Sequence, residues 1–385
     1  MKKRVFFVLI CALLALTVVY GRGGRDTAAA AGTIRFGVAA PITGVNAEFG
    51  RGFQYAMQMA VDHINAAGGT SNGYLFELVI RDSRGVPTES ADIARQFADD
   101  DSIMAILGDF SSASCLPMVP IIDSAGIVLF SPTCSHVDFG RMSPYTFGIM
   151  GRTNVEAEFF AREIAQRHMG LSSVGIIHGL NDWALSTYNN FSAEAQRIGL
   201  SIERVATFVP DERDFSSVIT QLRATPNIEA VLILGQGEVP MIINQIRGAG
   251  WNIPLGMQGP GTSQQIIDLC GPNAEGILLP TPFFFLEDNP VHMAFRNEFY
   301  SIAGFEPTIH PACAYDVVFL MKEAIESIGS GPITRRAIRD HLQNAELDGI
   351  TGFIRFTEHG DITRQHMIFA VENGRYVMKA GFPAR

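Results

Sequence analysis

The sequence predicts an α/β protein made of two doubly wound parallel-sheet lobes. Short β-type runs alternate with amphipathic helical segments, the pattern of a parallel sheet covered on both faces. The alternation runs through the first half of the chain and begins again in the second. No low-complexity linker follows Gly32, so the halves pack together rather than string out. With 385 residues, 47% of them hydrophobic, the chain can bury the cores of two domains.

The elements follow in order. Residues 33–39, Thr-Ile-Arg-Phe-Gly-Val-Ala, read as a strand that stops at Pro41. Residues 53–67 place Tyr55, Met59, Ala60 and Ile64 at helical spacing, and Gly68-Gly69 closes that helix. A second strand covers 74–80, and a helix covers 88–99 with Ile93, Ala94 and Phe97 on one face. A third strand at 103–107, a helix at 116–124 with Pro117 in its first turn, and a fourth strand at 127–130 complete the first half. The second half repeats the theme with strands at 173–178, 202–209 and 230–234 and helices at 185–198, 215–224 and 239–249. Helices at 312–328 and 334–342 follow. Two last strands, 353–356 and 366–371, are joined through Glu358-His359-Gly360-Asp361.

The N-terminus predicts export. Lys2, Lys3 and Arg4 precede sixteen uncharged, mostly apolar residues, Val5 to Tyr20, and then a run of small residues at 28–31. As a helix that stretch reaches roughly 24 Å, short of the ~30 Å hydrocarbon core, so a secretory signal over 1–31 is expected, with an uncleaved anchor as the rival reading. Tyr20-Gly21 stands where a lipoprotein would carry its cysteine. Cleavage after Ala31 leaves 24 basic and 38 acidic residues, a surface that repels nucleic acid and anionic membranes. The remaining cysteines, Cys115, Cys134, Cys270 and Cys313, lack metal-ligand spacing and are read mostly as buried thiols. No G-x-S-x-G elbow, H-E-x-x-H pair or P-loop appears. Gly235-Gln236-Gly237 starts like a dinucleotide loop but lacks the later glycine. No cofactor and no metal are expected.

In doubly wound sheets, ligands sit beyond the carboxyl ends of the strands. Two loops in that position are rich in hydroxyls: Gly108–Cys115, with Ser111, Ser112 and Ser114, and Ser131–Ser135, with Thr133. Serines beside helix-start amides can hold a carboxylate without lysine or arginine; alternatively they simply cap helices. Trp183 and Phe49, each in a loop after a strand, are either apolar walls for a ligand or core residues.

The order of several motifs resembles the type I periplasmic binding proteins of ABC transporters, in the leucine/isoleucine/valine-binding branch. The likeness is carried by Pro41-Ile42-Thr43-Gly44 with Phe49-Gly50, and by the run from Ala60 to Gly69 (AVDHINAAGG). It continues through Ser111-Ser112, Ser131-Pro132-Thr133, Arg213-Asp214-Phe215-Ser216, Ile246-Arg247-Gly248-Ala249-Gly250 and Ala314-Tyr315-Asp316. The resemblance implies two lobes joined by a three-segment hinge. Lobe one would be 33–153 with 282–361, and lobe two 154–281 with 362–385. It implies that Ser112, Thr133 and Ser135 hold a ligand carboxylate, that Trp183 closes over it from lobe two, that Phe49 lines the first loop, and that His310 lies beside the ligand side chain. Amino-acid binders of this branch carry an acid where Gln258 stands here. A buried unpaired ammonium is costly. Either Asp182, Glu238 or Asp109 substitutes, or the ligand lacks an amine. Cysteines found in some members are replaced by Gly85 and Ser111, while Cys115 and Cys134 are close enough in the pattern to suggest a bond.

The expected function is that of an extracytoplasmic, monomeric, non-enzymatic solute-binding protein. It would hand a small carboxylate, either a neutral amino acid or an apolar or aromatic acid, to an ABC permease. A sensory module signalling to a receptor and an exported α/β enzyme are the alternatives.

Overall fold

The structure, a computed structural model, describes residues 31–381. The expected signal segment up to residue 30 and the tail from residue 382 lie outside the described residues.

Strands β1 (Gly32–Ala40), β2 (Tyr74–Asp82), β3 (Ile103–Gly108), β4 (Val128–Ser131) and β5 (Thr146–Gly148) form a wholly parallel sheet in the order β2-β1-β3-β4-β5. The second sheet begins with β6 (Ser173–Gly179), β7 (Ser201–Phe208), β8 (Val231–Leu234), β9 (Leu255–Gln258) and β10 (Leu278–Thr281). A separate hairpin, β11 (Glu346–Gly349) and β12 (Gly352–Arg355), precedes β13 (Met367–Glu372) and β14 (Arg375–Ala380). These last two add to the second sheet antiparallel, giving β14-β13-β10-β9-β8-β6-β7.

The strands are apolar almost throughout because each sheet is buried on both faces. From β1, Phe36, Val38 and Ala40 turn to a core shared with helices Ala47–Ala66 and Ile309–Ile328. Ala39 turns to the opposite core with Ile93, Phe97, Ile106 and Leu129. In the second sheet, Ile177, Val231 and Ile233 face one core, while Ile176, Leu232 and Leu234 face the other. Helix Ile309–Ile328 is buried nearly all round, so the late segment of the chain returns to complete the first lobe.

The structure corrects several boundaries. The first helix starts at Ala47, six residues before the predicted start, because Gly50 lets its first turn lie against Pro41. A Cβ there would sit 2.1 Å from the Pro41 carbonyl oxygen. Helix Asp182–Ile198 starts early too, capped by Asn181, whose side chain accepts from Ala184 N. The elements not predicted include β5, β10, β11, β14, helices Phe139–Met142, Gln264–Cys270 and Pro290–Ala303, and helix Thr153–Phe159 with its wider π-type continuation Phe160–His168. The first two are strands of three and four residues, too short to show a period.

The chain crosses between the lobes three times: between Gly148 and Ser173, after Thr281, and between Arg355 and Met367. The crossings are stitched together. Arg152 makes a two-pronged ion pair with Asp361, with Nη2 to Oδ1 at 2.8 Å. Arg364, buried, donates from Nε to the Ile149 carbonyl at 2.7 Å and from Nη1 to the Thr351 carbonyl at 2.9 Å.

The lobes are in contact on the far side of the cleft. Glu48 Oε1 accepts from Ser263 Oγ at 2.7 Å, and Asn46 Oδ1 accepts from Gly237 N at 3.3 Å. Gly237 has no room for a side chain, since a Cβ would lie 2.2 Å from the Val45 carbonyl oxygen. Gly237→Ala is therefore expected to hold the lobes apart. Small-angle scattering should show a larger radius of gyration than wild type, with helix content unchanged by circular dichroism; an unaltered radius would show that this contact does not limit closure.

Candidate functional site

The carboxyl ends of the two sheets face each other across a narrow cleft lined by residues of both. Ser111 and Ser112 reach it from the end of β3, Thr133 and Ser135 from β4, Trp183 from β6, Gln236 from β8, and Gly259 from β9.

The first-lobe wall is a hydroxyl surface whose protons can be assigned. Ser111 is the helix cap: its Oγ accepts from Ser114 N and donates to Ser114 Oγ. The capping reading of this loop therefore holds for Ser111. Ser131 Oγ donates to the Asp109 carbonyl at 2.7 Å and accepts from Cys134 N at 2.8 Å, binding the two loops together. Thr133 Oγ1 donates to the Phe110 carbonyl at 2.7 Å. A hydroxyl has one proton and two lone pairs, so Thr133 faces the cleft as an acceptor. Ser112 Oγ accepts from the Cys134 thiol at 3.7 Å, leaving its own proton without a protein acceptor among the described residues. Ser112 is thus a donor on this wall, and the Ser135 hydroxyl lines it alongside.

Apolar groups complete the enclosure: Phe110, Met150, Ile309 and Trp183. Trp183 sits in the first turn of its helix with its ring against Gly259, where a Cβ would lie 3.0 Å from the indole. His310 lines the cavity in a neutral state, since burial pushes its pKa down to about 3; its Nδ1 is 2.9 Å from Thr308 Oγ1. Phe49 does not reach the cavity. It lies one layer behind, stacked on Phe110 at 4.4 Å between centroids and edge-on to His310 at 4.8 Å, so Phe110 presents the aromatic surface in its place.

The second-lobe wall holds a residue that the sequence reading did not single out. Glu156, in the first turn of helix Thr153–Phe159, lines the cavity. The residue is half-buried, but burial of its carboxyl raises the pKa from the ordinary 4.5 to about 7, with a smaller opposing pull from the Gln258 amide beside it. That neighbour forms no aligned hydrogen bond: Gln258 Nε2 and Oε1 are both buried without a partner among the described residues. Gln258 lies behind the cavity lining rather than in it. The acids named as substitutes are elsewhere. Asp182 is exposed. Asp109 is fully buried, accepting from Ser90 Oγ and Phe110 N. Glu238 is buried outside the lining, with Oε2 3.3 Å from Gln236 N.

The suggested Cys115–Cys134 bond is absent. Both are buried free thiols, with Cys115 Sγ donating to the Asp109 carbonyl at 3.3 Å and Cys134 to Ser112. Glu156 was missed because 153–168 was left without an assignment. The signal was present, as Thr153, Ala157, Phe160, Ala161, Ile164 and Ala165 fall at helical spacing and are all buried.

A family profile described as periplasmic binding protein matches residues 33–375. The leucine-, isoleucine-, valine-, threonine- and alanine-binding protein of Pseudomonas aeruginosa is 24% identical over 336 residues, covering 86% of this chain and 88% of its own. Among solved structures, the branched-chain amino acid transporter substrate binding protein LivJ of Streptococcus pneumoniae, in complex with isoleucine, superimposes with a TM-score of 0.81 at 22% identity, covering 90% of this chain and 99% of its own. A solute binding protein of an ABC transporter from R. palustris, in complex with benzoate, gives 0.82 at 17% identity, covering 91% and 96%.

The buried carboxyl has a consequence for stability. An acid whose pKa is raised by folding binds more protons folded than unfolded, so its contribution worsens as pH rises from 4.5 through about 7. Glu156→Gln should therefore stabilise the ligand-free protein at pH 8, by on the order of 2 kcal/mol, and make little difference at pH 4.5. Denaturant melts at the two pH values check this; equal effects at both would refute the raised pKa.

Proposed function

The chain belongs to the periplasmic binding protein family, and from that premise we propose that it captures a small carboxylate solute in the interlobe cleft and delivers it to an ABC-type membrane permease. The observation that carries this reading is the enclosed cavity between two lobes, with uncommitted hydroxyl donors on one wall and an indole on the other. We take lobe one as 33–153 with 282–361 and lobe two as 154–281 with 362–385.

Ser112 and Ser135 donate to the carboxylate from the first lobe. The second lobe then swings in about the stitched crossings and brings Trp183 down on the ligand's apolar part. Ligand contacts favour the closed state only to the extent that they are stronger there, and closure presents both lobes together to the permease. The step requires no bond making. The lining hydroxyls are engaged by a thiol and a carbonyl rather than by an imidazole, which supports a binding role over a hydrolytic one. The protein acts as an exported monomer outside the cytoplasmic membrane.

A bound solute at one hundred times its dissociation constant should add about 2.7 kcal/mol to stability. A melting screen against the neutral amino acids and against aliphatic and aromatic carboxylic acids is the direct test. Ser112→Ala and Trp183→Ala should each weaken binding at least about tenfold, roughly 1.4 kcal/mol, with little change in the ligand-free melt. Unchanged affinity in both variants would remove the solute from this cleft.

A further inference from the structure

Accepting that the cleft holds a carboxylate, we infer that Glu156, backed by the Gln258 amide, is the subsite that selects ligands bearing a protonated amine, so that the solute is a zwitterion rather than a simple organic acid.

The argument begins with charge. Glu156 is the one acidic side chain among the residues lining the cavity, and no lysine or arginine lines it. His310 is neutral. No ion pair and no aligned hydrogen bond engages the Glu156 carboxyl among the described residues; burial is the main influence on it and the Gln258 amide the lesser one. An acid without an amine would add a second negative charge to a chamber that holds no cation, and like charges in a shared buried site exclude one another. An ammonium removes that conflict and gives Glu156 its missing partner.

The hydrogen-bond inventory points the same way. Gln258 carries two buried amide atoms with no partner. With an ammonium present Glu156 is held ionised, and Gln258 Nε2 donates to its carboxylate from behind the lining. Thr133 Oγ1, its proton committed to the Phe110 carbonyl, has lone pairs to offer the ammonium. An amine-free acid uses none of these acceptors. The neutral side chain at 258 therefore does not argue against an amine. The counter-charge has moved from the end of β9 to the helix that follows the first crossing. The fold leaves the matter open, since one solved relative holds isoleucine and another benzoate.

The test compares matched pairs. Wild type, Glu156→Gln and Ser112→Ala are screened by melting at pH 8 against the twenty amino acids and the corresponding acids lacking the α-amine, such as leucine against 4-methylpentanoate. Affinities are then measured by calorimetry for the best pair. The expected result is that wild type binds the amine-bearing member at least about 100-fold more tightly. Glu156→Gln should lower that affinity about 30-fold or more and leave the amine-free acid unchanged or tighter, while its ligand-free melting temperature at pH 8 is raised rather than lowered, so that lost affinity is not lost fold. Ser112→Ala should weaken both members alike. The inference is overturned if wild type prefers the amine-free acid, or if Glu156→Gln leaves the ratio intact. It is also overturned if affinity for the amine-bearing member falls as pH rises from 6 to 8, since ionisation of Glu156 should strengthen its hold on an ammonium. A silent Ser112→Ala with an altered ratio in Glu156→Gln would instead sink the carboxylate placement alone. Binding of neither class would overturn both readings.

Discussion

The buried guanidinium of Arg364 is the constraint on which the relative placement of the two lobes depends. It joins the third crossing to the first through the Ile149 carbonyl, and joins both to the first lobe through Thr351. Thr351 in turn donates to Asp316, which also accepts the backbone N–H groups of 350 and 351. Burial pushes Asp316 up to about 6 against these donors. A charge taken out of water is tolerated only when its geometry and partners compensate. Here the partners are backbone groups and the Thr351 hydroxyl on separate segments, so the network fixes where the segments lie in cross-section. The more exposed Arg152–Asp361 pair ties the same two crossings nearer the surface.

Given that frame, the chemistry of the cleft is asymmetric. One wall offers hydroxyl protons, the other a carboxylate and an amide, and the apolar surfaces between them limit how far water can screen either. In the proposed binding mode an anion is gripped without any lysine or arginine, which spares the site the desolvation of a mobile cation. The consequence is that every charge in the closed chamber other than Glu156 has to arrive with the guest.

Much of this was legible in the sequence. Strand runs such as 36–39 and 103–107 are apolar without interruption because both sheet faces are covered, and they end where the cleft begins. Ser112, Thr133, Ser135, Trp183 and His310 all line the cavity. What was not legible depended on layers. Phe49 and Phe110 stack face to face, and only the tertiary packing decides which of the two meets the cleft. Gln258 was read as replacing a charge, whereas the charge stands on a neighbouring element more than a hundred residues away in sequence. Short strands such as β5 carry too few residues to show a period, and the helix bearing Glu156 lay in a stretch left unassigned between two confident elements.

Glu48 and Asn46 reach across to Ser263 and Gly237, all outside the residues that line the cavity. Escape of a captured molecule requires these bonds to part along with its own. Dwell time is therefore adjustable at the rim, without altering what the chamber recognises.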